Sequence, residues 1–550
     1  MNLRLITLIQ VFIIIVFSCS AEKNYNLEKP YEQTSIKPEL RTWYYANLND
    51  SLIYFRVNIL KENYAEGEFF LLEKSPYAKK EKFKVKINDN KYELSYRDKV
   101  LEMKVLTSAR NENIVFIYSL RKKPFMWNFN RWEEPKTFFA AKYREPDYKT
   151  FPKRYKEKVF SDINVKNDII YGKAKGYWTS YPAEEESYLD ILLKGILSTL
   201  KKKDLELKAD VYFPTEDTIK ERPFIMFIHG GAFYIGDKQS DAMVQFCRYF
   251  TSLGYVTASI NYRLGFIPLG SEVERAGYRA LQDAHAAMRY FVENSSSFGI
   301  DTSKIFVGGS SAGGITALNL AFMRNSNRPK SSFKNLLYDD LGKIENSGNN
   351  IKINFYIKSV INMWGAVDNT DILKNSKTSI ISFHGDADLV VPINCDYPFK
   401  DIQANFSSLI LNKVCGSLEI HIKLRELERK EELHILKNKG HSPHVDAANK
   451  LNDVFYFICS KSTDFLYSEL LPECARIHTY PKTIGKRASS FYIMDCNNYK
   501  QIYWRIKGGL IIGTKNNTVR VVWFDDEPEH KLFASVLFNN GISEVLEYGF

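Results

Sequence analysis

Three absences narrow what this 550-residue chain can be. No C-x-x-C pair occurs among its seven cysteines, so a structural zinc site is not expected. No internal repeat runs through the chain, so no repeat architecture is expected. The apolar run at residues 5–17 is too short for a comfortable membrane span of about 20 residues. What remains is ordinary globular material. Apolar residues make up 45% of the chain, enough for conventional cores, and the length allows three or four domains of about 150 residues. The net charge of +11 comes from lysines spread along the chain, densest at Lys79-Lys80-Glu81-Lys82 and Lys201-Lys202-Lys203. Clusters of this kind would suit a nucleic acid or an anionic surface, but a solvated lysine-rich surface is the simpler reading, and no nucleic-acid partner is expected.

The first residues read as a targeting signal. Arg4 precedes the apolar run, and Ser18, Cys19, Ser20 and Ala21 follow it. Val16-Phe17-Ser18-Cys19 resembles a bacterial lipobox, with Phe17 a poor fit at its position, and cleavage after Ala21 is the alternative. Residues 1–19 are therefore expected to be a signal peptide. The mature protein is expected to leave the cytoplasm, either secreted or held at the outer membrane or cell surface through a lipidated Cys19. Six further cysteines, at 247, 395, 415, 459, 474 and 496, are compatible with disulfides in an exported chain. Cys395 with Cys415 and Cys459 with Cys474 are the close-spaced candidates.

Residues 20–160 read as a β-rich domain followed by a linker. The runs at 53–57, 83–87 and 101–105 alternate apolar and polar side chains, and Asn88-Asp89-Asn90 has the composition of a hairpin turn. Residues 121–160 are basic, aromatic and poorly periodic, which predicts a linker packed on its neighbours. From 161 to 474 apolar strand-like runs alternate with helical stretches, predicting a mostly parallel sheet covered on both faces. The polar segment 324–350 reads as a surface loop or a lid beside a site. Residues 475–550 return to short strands at sandwich-like spacing, at 502–509, 518–523 and 532–537.

Three signals in the middle region carry chemistry. Gly309-Ser310-Ser311-Ala312-Gly313-Gly314 is a G-x-S-x-G turn set between a strand and a helix, a context that exposes a serine oxygen above a sheet. Ser310 competes with Ser311, but only Ser311 has glycine at both −2 and +2. His229-Gly230-Gly231-Ala232 follows another apolar strand. Its small residues let backbone N–H groups of Gly230 and Gly231, with that of Ala312, approach a developing oxyanion. His384-Gly385-Asp386-Ala387-Asp388 and Gly440-His441-Ser442-Pro443-His444 also follow strand-like runs. A serine hydroxyl needs an imidazole in reach, and the imidazole needs a carboxylate to hold its tautomer.

Residues 165–470 resemble the α/β-hydrolase superfamily, in its carboxylesterase and hormone-sensitive-lipase-like branches. The resemblance rests on "HGGAF", "NYRLGF", "QDAHAAMRYFVENSSSFGIDTSKIFVGGSSAGG", "HGDADLVVP" and "GHSP". It implies an α/β-hydrolase fold, with Ser311 as nucleophile, Asp388 as acid and His441 as base. Asp386 and His444 are the nearest rivals. It implies acyl transfer in two steps with no metal or organic cofactor. Two departures bear on substrate choice: the oxyanion motif reads Gly-Gly-Ala rather than Gly-Gly-Gly, and 324–350 matches no assignable lid. Trp364 and Phe233 are candidates to line an acyl or alcohol pocket, against the plainer reading that they are core. The last 76 residues resemble PKD-like, Ig-type modules of exported bacterial enzymes through "YWRIKGG", "VRVVWFD" and "NNG".

The expected substrate is a small-molecule or carbohydrate ester, with flanking β domains that bind a surface or polysaccharide. A peptidase of the prolyl-oligopeptidase type would share the catalytic domain. However, about 145 mature residues ahead of it cannot build a propeller of seven four-stranded blades. A non-catalytic adhesion protein on the same fold is the reading from another class.

Overall fold

The computed structural model describes residues 41, 43–48, 51–61, 64–72, 81–86, 91–96, 99–107, 113–122, 136–181, 202–267, 271–336, 338–400, 411–446, 448–471, 476–480, 490–493, 499–524 and 527–549. The signal segment and its lipobox, Asn88-Asp89-Asn90, Cys474 and Cys496 lie outside them.

The central sheet has eight strands: β1 (Ile163–Gly176), β2 (Lys203–Pro214), β3 (Arg222–Ile228), β4 (Val256–Ile260), β5 (Ile300–Ser310), β6 (Ile357–Met363), β7 (Ser379–Gly385) and β8 (Glu431–Leu436). Their spatial order is β1-β2-β4-β3-β5-β6-β7-β8. Strand β2 is antiparallel to both its neighbours, and every pairing from β4 to β8 is parallel. Strands β3, β4 and β7 are buried at every position, as the continuous apolar runs require when helices cover both faces.

The helices divide between the faces. On one lie α2 (Glu272–Glu293), after β4, and α4 (Ala312–Phe322), after β5, together with α5 (Ser417–Glu426). On the other lie α1 (Asp241–Ser252), after β3, and α6 (Asp453–Leu470), after β8. The single turn α3 (Ser295–Phe298) leads into β5. Connections of this kind bring the carboxyl ends of β5, β6, β7 and β8 to one edge of the sheet, where loops can converge.

Eight antiparallel strands between Trp43 and Lys142 form a second sheet. The stretch read as a linker departs from expectation, because Lys136–Lys142 is a strand that pairs with both Asn113–Lys122 and Trp43–Leu48. Its sequence, KTFFAAK, lacks clean alternation, so partner strands decide its conformation. Glu81–Lys86 and Lys91–Tyr96, which flank Asn88-Asp89-Asn90, stand at opposite ends of the strand order.

After α6, two antiparallel sheets follow. One holds Ile477–Tyr480, Ser490–Ile493, Thr518–Trp523 and Gly509–Lys515, and the other Tyr499–Lys507, Lys531–Phe538 and Ser543–Gly549. Their apolar faces share a core with α1 and α6. Trp43, Tyr54 and Phe70 of the Trp43–Lys142 sheet pack on Leu510, Val522 and Phe524.

Segment 324–350 forms three 3-10 turns strapped to α2. Arg275 donates to the carbonyls of Ser331 and Asp339, Gln282 to that of Leu341, and Arg289 to that of Glu345. Cys395 and Cys415 are disulfide-bonded. Cys459, a close-spaced candidate partner of Cys474, is a free, buried thiol in α6. Helix packing places it inside the core, where close spacing in sequence has no bearing.

Candidate active site

Ser311 sits between β5 and α4 at φ +54° and ψ −121°, a strained backbone for a residue with a side chain. The turn is held by contact with its surroundings. A Cβ on Gly309 would lie 2.2 Å from the Gly313 carbonyl oxygen, and one on Gly313 would lie 2.0 Å from that of Ile228. Only glycine fits at either position, so α4 is pressed against β3 and the serine is lifted over the sheet edge. The Ser311 amide donates to the Met363 carbonyl at 2.9 Å, which fixes the turn to β6.

The loops after β7 and β8 bring the other partners. His441 Nε2 lies 2.9 Å from Ser311 Oγ, and His441 Nδ1 lies 2.8 Å from Asp388 Oδ2. With Nδ1 protonated, Nε2 is free to accept the hydroxyl proton. The other oxygen of Asp388 accepts from the amides of Val390 and Val391 at 2.9 and 3.0 Å. Burial opposes the charge on this carboxylate. Hydrogen bonds from His384, His441 and the Val391 amide outweigh burial and hold it well below the usual carboxylate range.

The rivals occupy other surroundings. Asp386 is exposed and accepts from the Asn438 amide at 2.6 Å, joining the two loops. His444 is buried against Trp364, with ring centroids 4.9 Å apart, and burial pushes its pKa down to about 4, so it stays neutral. Ser310 ends β5 and is buried.

Gly230 lies behind Ser311, where a Cβ would come within 3.3 Å of the Ser311 Cβ. Gly231 has φ +99° and accepts from the amides of Tyr234 and Ile235, closing the turn. Tyr262 holds this loop from beneath, its hydroxyl donating to the carbonyls of His229 at 3.0 Å and Gly230 at 3.2 Å. Ser311, Ala312, Ala232 and Phe233 border a cavity of about 380 Å³ whose walls also include Leu281, Ile315, Val390 and Val391. Phe233 therefore lines the cavity, whereas Trp364 is fully buried beside His441 and His444.

Ala232, the departure in the Gly-Gly-Ala motif, sits at φ +50° and borders the cavity beside Ser311. One contributor escaped the sequence reading. His384 stands behind Asp388: its Nε2 lies 3.4 Å from Asp388 Oδ2 and 2.9 Å from the Val391 carbonyl, and its Nδ1 lies 2.8 Å from Ser417 Oγ. It stood in the quoted "HGDAD" motif, and its place four residues before Asp388 was the available signal.

Residues 209–384 match the family model described as BD-FAE. A 103-residue stretch is 35% identical to Gut esterase 1 of Caenorhabditis briggsae and covers 18% of each chain. A 121-residue stretch is 34% identical to para-nitrobenzyl esterase of Bacillus subtilis, covering 21% of this chain and 24% of that one. The chain thus spans about a fifth of the length of these curated relatives. Among solved structures, Thermogutta terrifontis esterase 2 phosphorylated by paraoxon aligns with a TM-score of 0.34 at 18% identity, over 48% of this chain and 90% of that one. A truncated carbohydrate esterase from gut microbiota aligns with a TM-score of 0.35 at 18% identity, over 57% and 98%. The mixed, mostly parallel eight-stranded sheet, with the family match that runs from β2 to β7, supports an α/β-hydrolase fold of the carboxylesterase kind.

Proposed function

We propose that this chain is an exported serine esterase that hydrolyses carboxylic esters through an acyl-enzyme on Ser311. The observation that carries the reading is the unbroken relay from Asp388 through His441 to Ser311, with links of 2.8 and 2.9 Å. His441 Nε2 takes the hydroxyl proton as Ser311 Oγ attacks the ester carbonyl, and Asp388 stabilises the imidazolium that forms. The oxyanion meets the amides of Gly230, Gly231 and Ala312, and Ala232 joins them because it borders the same cavity. As the tetrahedral species collapses, the proton on His441 passes to the departing alcohol. His441 then draws a proton from water, whose oxygen attacks the acyl carbon, and returns it to Ser311 as the acid leaves. The match of residues 209–384 to the BD-FAE model and the stretches shared with esterases favour this chemistry.

Export is supported by the N-terminal signal pattern and by the disulfide between Cys395 and Cys415, which persists in oxidising compartments. In this proposal Cys19 carries a lipid anchor, the C-terminal strands form a PKD-like, Ig-type sandwich, and the flanking β domains bind a surface or polysaccharide that bears the acyl groups.

The test is hydrolysis of p-nitrophenyl acetate, butyrate and octanoate by the full chain and by Ser311→Ala. The parent is expected to turn over at least one of them, and the folded variant to lose roughly 10³-fold or more in kcat. Undiminished fluorophosphonate labelling of the variant would remove Ser311 as the nucleophile.

A further inference from the structure

Five fully buried polar side chains meet where α5 covers the sheet: Asn362 on β6, Ser382 and His384 on β7, and Ser417 and His421 on α5. Alternation puts Ser382 and His384 on one face of β7, and the strand register sets Asn362 beside Ser382. Ser417 and His421, four residues apart, share the helix face that meets them. Asn362 Nδ2 donates to Ser382 Oγ at 3.0 Å and to Ser417 Oγ at 3.1 Å. Ser417 Oγ lies 2.8 Å from His384 Nδ1, and Ser382 Oγ lies 2.8 Å from His421 Nε2. His421 Nδ1 ends the chain of bonds on Glu431 of β8.

Donor and acceptor capacities fix the direction of every link. The Val391 carbonyl only accepts, so His384 carries its proton on Nε2. Nδ1 is then an acceptor and takes the Ser417 hydroxyl proton, while Ser417 accepts from Asn362. At the other end the Glu431 carboxylate calls for a proton on His421 Nδ1, so His421 Nε2 accepts from Ser382. Burial, the largest influence on His421, lowers its pKa and favours the neutral ring. A second proton on His384 would set two donors against each other at Ser417, which holds that ring neutral as well.

The network reaches both sides of the relay. Val391 is gripped at two points: its carbonyl accepts from His384, and its amide donates to Asp388 at 3.0 Å. The same His384 Nε2 faces Asp388 Oδ2 at 3.4 Å. Asn362 Oδ1 accepts from the Gly365 amide at 3.0 Å and presses on α4, where a Cβ on Gly314 would meet it at 3.0 Å. We propose that His384, locked in one tautomer by Ser417 and Asn362, is a positioning residue that sets Asp388 for the relay to Ser311. The inference rests on the esterase reading for its chemistry and adds the residues that hold its acid in place.

The test compares His384→Gln with His384→Asn in the full chain. A glutamine amide reaches the place of Nε2 and keeps a donor toward Val391 and Asp388. Asparagine offers Ser417 an acceptor in place of Nδ1, but its side chain ends short of Val391. On p-nitrophenyl acetate, kcat is expected to fall about 30-fold in His384→Asn and only about threefold in His384→Gln, with KM little changed in both. The low-field NMR resonance of the His441 Nδ1 proton, which reports the bond to Asp388, is expected to persist in His384→Gln and to be lost in His384→Asn. Ser417→Ala, which keeps the imidazole but frees its tautomer, is expected to lie between them. Equal kcat in the two position-384 variants, whether retained or lost, would overturn the proposal, because packing alone then accounts for the histidine. Should either variant fail to fold, Ser417→Ala decides, and an unchanged kcat and resonance there would overturn it. If the parent turns over no ester, the esterase reading fails, and the resonance alone decides the positioning. Its persistence in His384→Gln with loss in His384→Asn upholds the proposal, whereas its absence from the parent or equal behaviour in both variants overturns it.

Discussion

Asp368 and Asp388 follow adjacent parallel strands, β6 and β7, and both reach the same edge of the sheet. Their surroundings are opposite. Asp388 has two backbone amides on one oxygen, and His441 with His384 beside the other. Asp368 has no partner among the described residues, and its pKa is pushed up to about 6 by burial, then by Glu274. A carboxylate saturated with donors is committed to the protein's interior arrangement. One left without donors faces the cavity that Ser311 also borders. The contrast teaches that this sheet edge has an orienting end, saturated with donors, and an open end that faces the cavity.

The largest expected effect tests the saturated end. Replacing Asp388 with Asn keeps its shape but offers His441 an amide, which favours the wrong tautomer. kcat on p-nitrophenyl acetate should fall about 10⁴-fold with little change in KM. A loss under tenfold would break the comparison at that end, because it would mean that Asp388 does not orient the base.

A second change probes the wall at the open end. Cys415 exchanges both backbone hydrogen bonds with Val367, the residue before Asp368, and its disulfide to Cys395 closes a loop across a sequence separation of 20. Val390, Val391 and Val414 on this loop and its base line the cavity. The double variant Cys395→Ser/Cys415→Ser should lose about 3 kcal/mol in chemical denaturation. Its KM for esters should rise more than its kcat falls, because the relay from Asp388 to Ser311 lies outside the clasp. A fall in kcat at unchanged KM would show that the disulfide supports the relay instead.

Much of the orienting end was legible in the sequence, because steric and topological demands leave marks there. Gly309 and Gly313 are forced by contacts near 2 Å, and strand-end positions announce Asp388 and His441 through their neighbours. The open end leaves no such marks. Glu274 and Asp368 stand 94 residues apart in sequence, and neither belongs to a motif, so only folding reveals that they share a cavity. The same holds for 324–350. Its attachment to α2 runs through arginine and glutamine side chains donating to backbone carbonyls, a pairing with no sequence pattern. Lys136–Lys142 was misread for a related reason: partner strands settled it, rather than local periodicity.

The smallest effect concerns the cost of keeping Asp368 unpartnered. An Asp in the unfolded chain titrates near about 3.9, whereas Asp368 in the folded chain titrates at about 6. Between these values the folded state binds more protons than the unfolded state, so its stability falls as pH rises through that window. Asp368→Asn removes the penalty. The variant should therefore be more stable than the parent above about pH 6, and the difference should vanish as pH falls toward about 4. Because the carboxylate opens onto the solvent of the cavity, screening limits the gain to about 1 kcal/mol. Paired urea denaturations at pH 8 and pH 4.5 measure it. A gain at pH 8 that disappears at pH 4.5 identifies a residue retained against stability, which sharpens its contrast with Asp388. A destabilised variant at pH 8 would mean that Asp368 has a stabilising partner in the folded chain, and the two aspartates would no longer differ in kind.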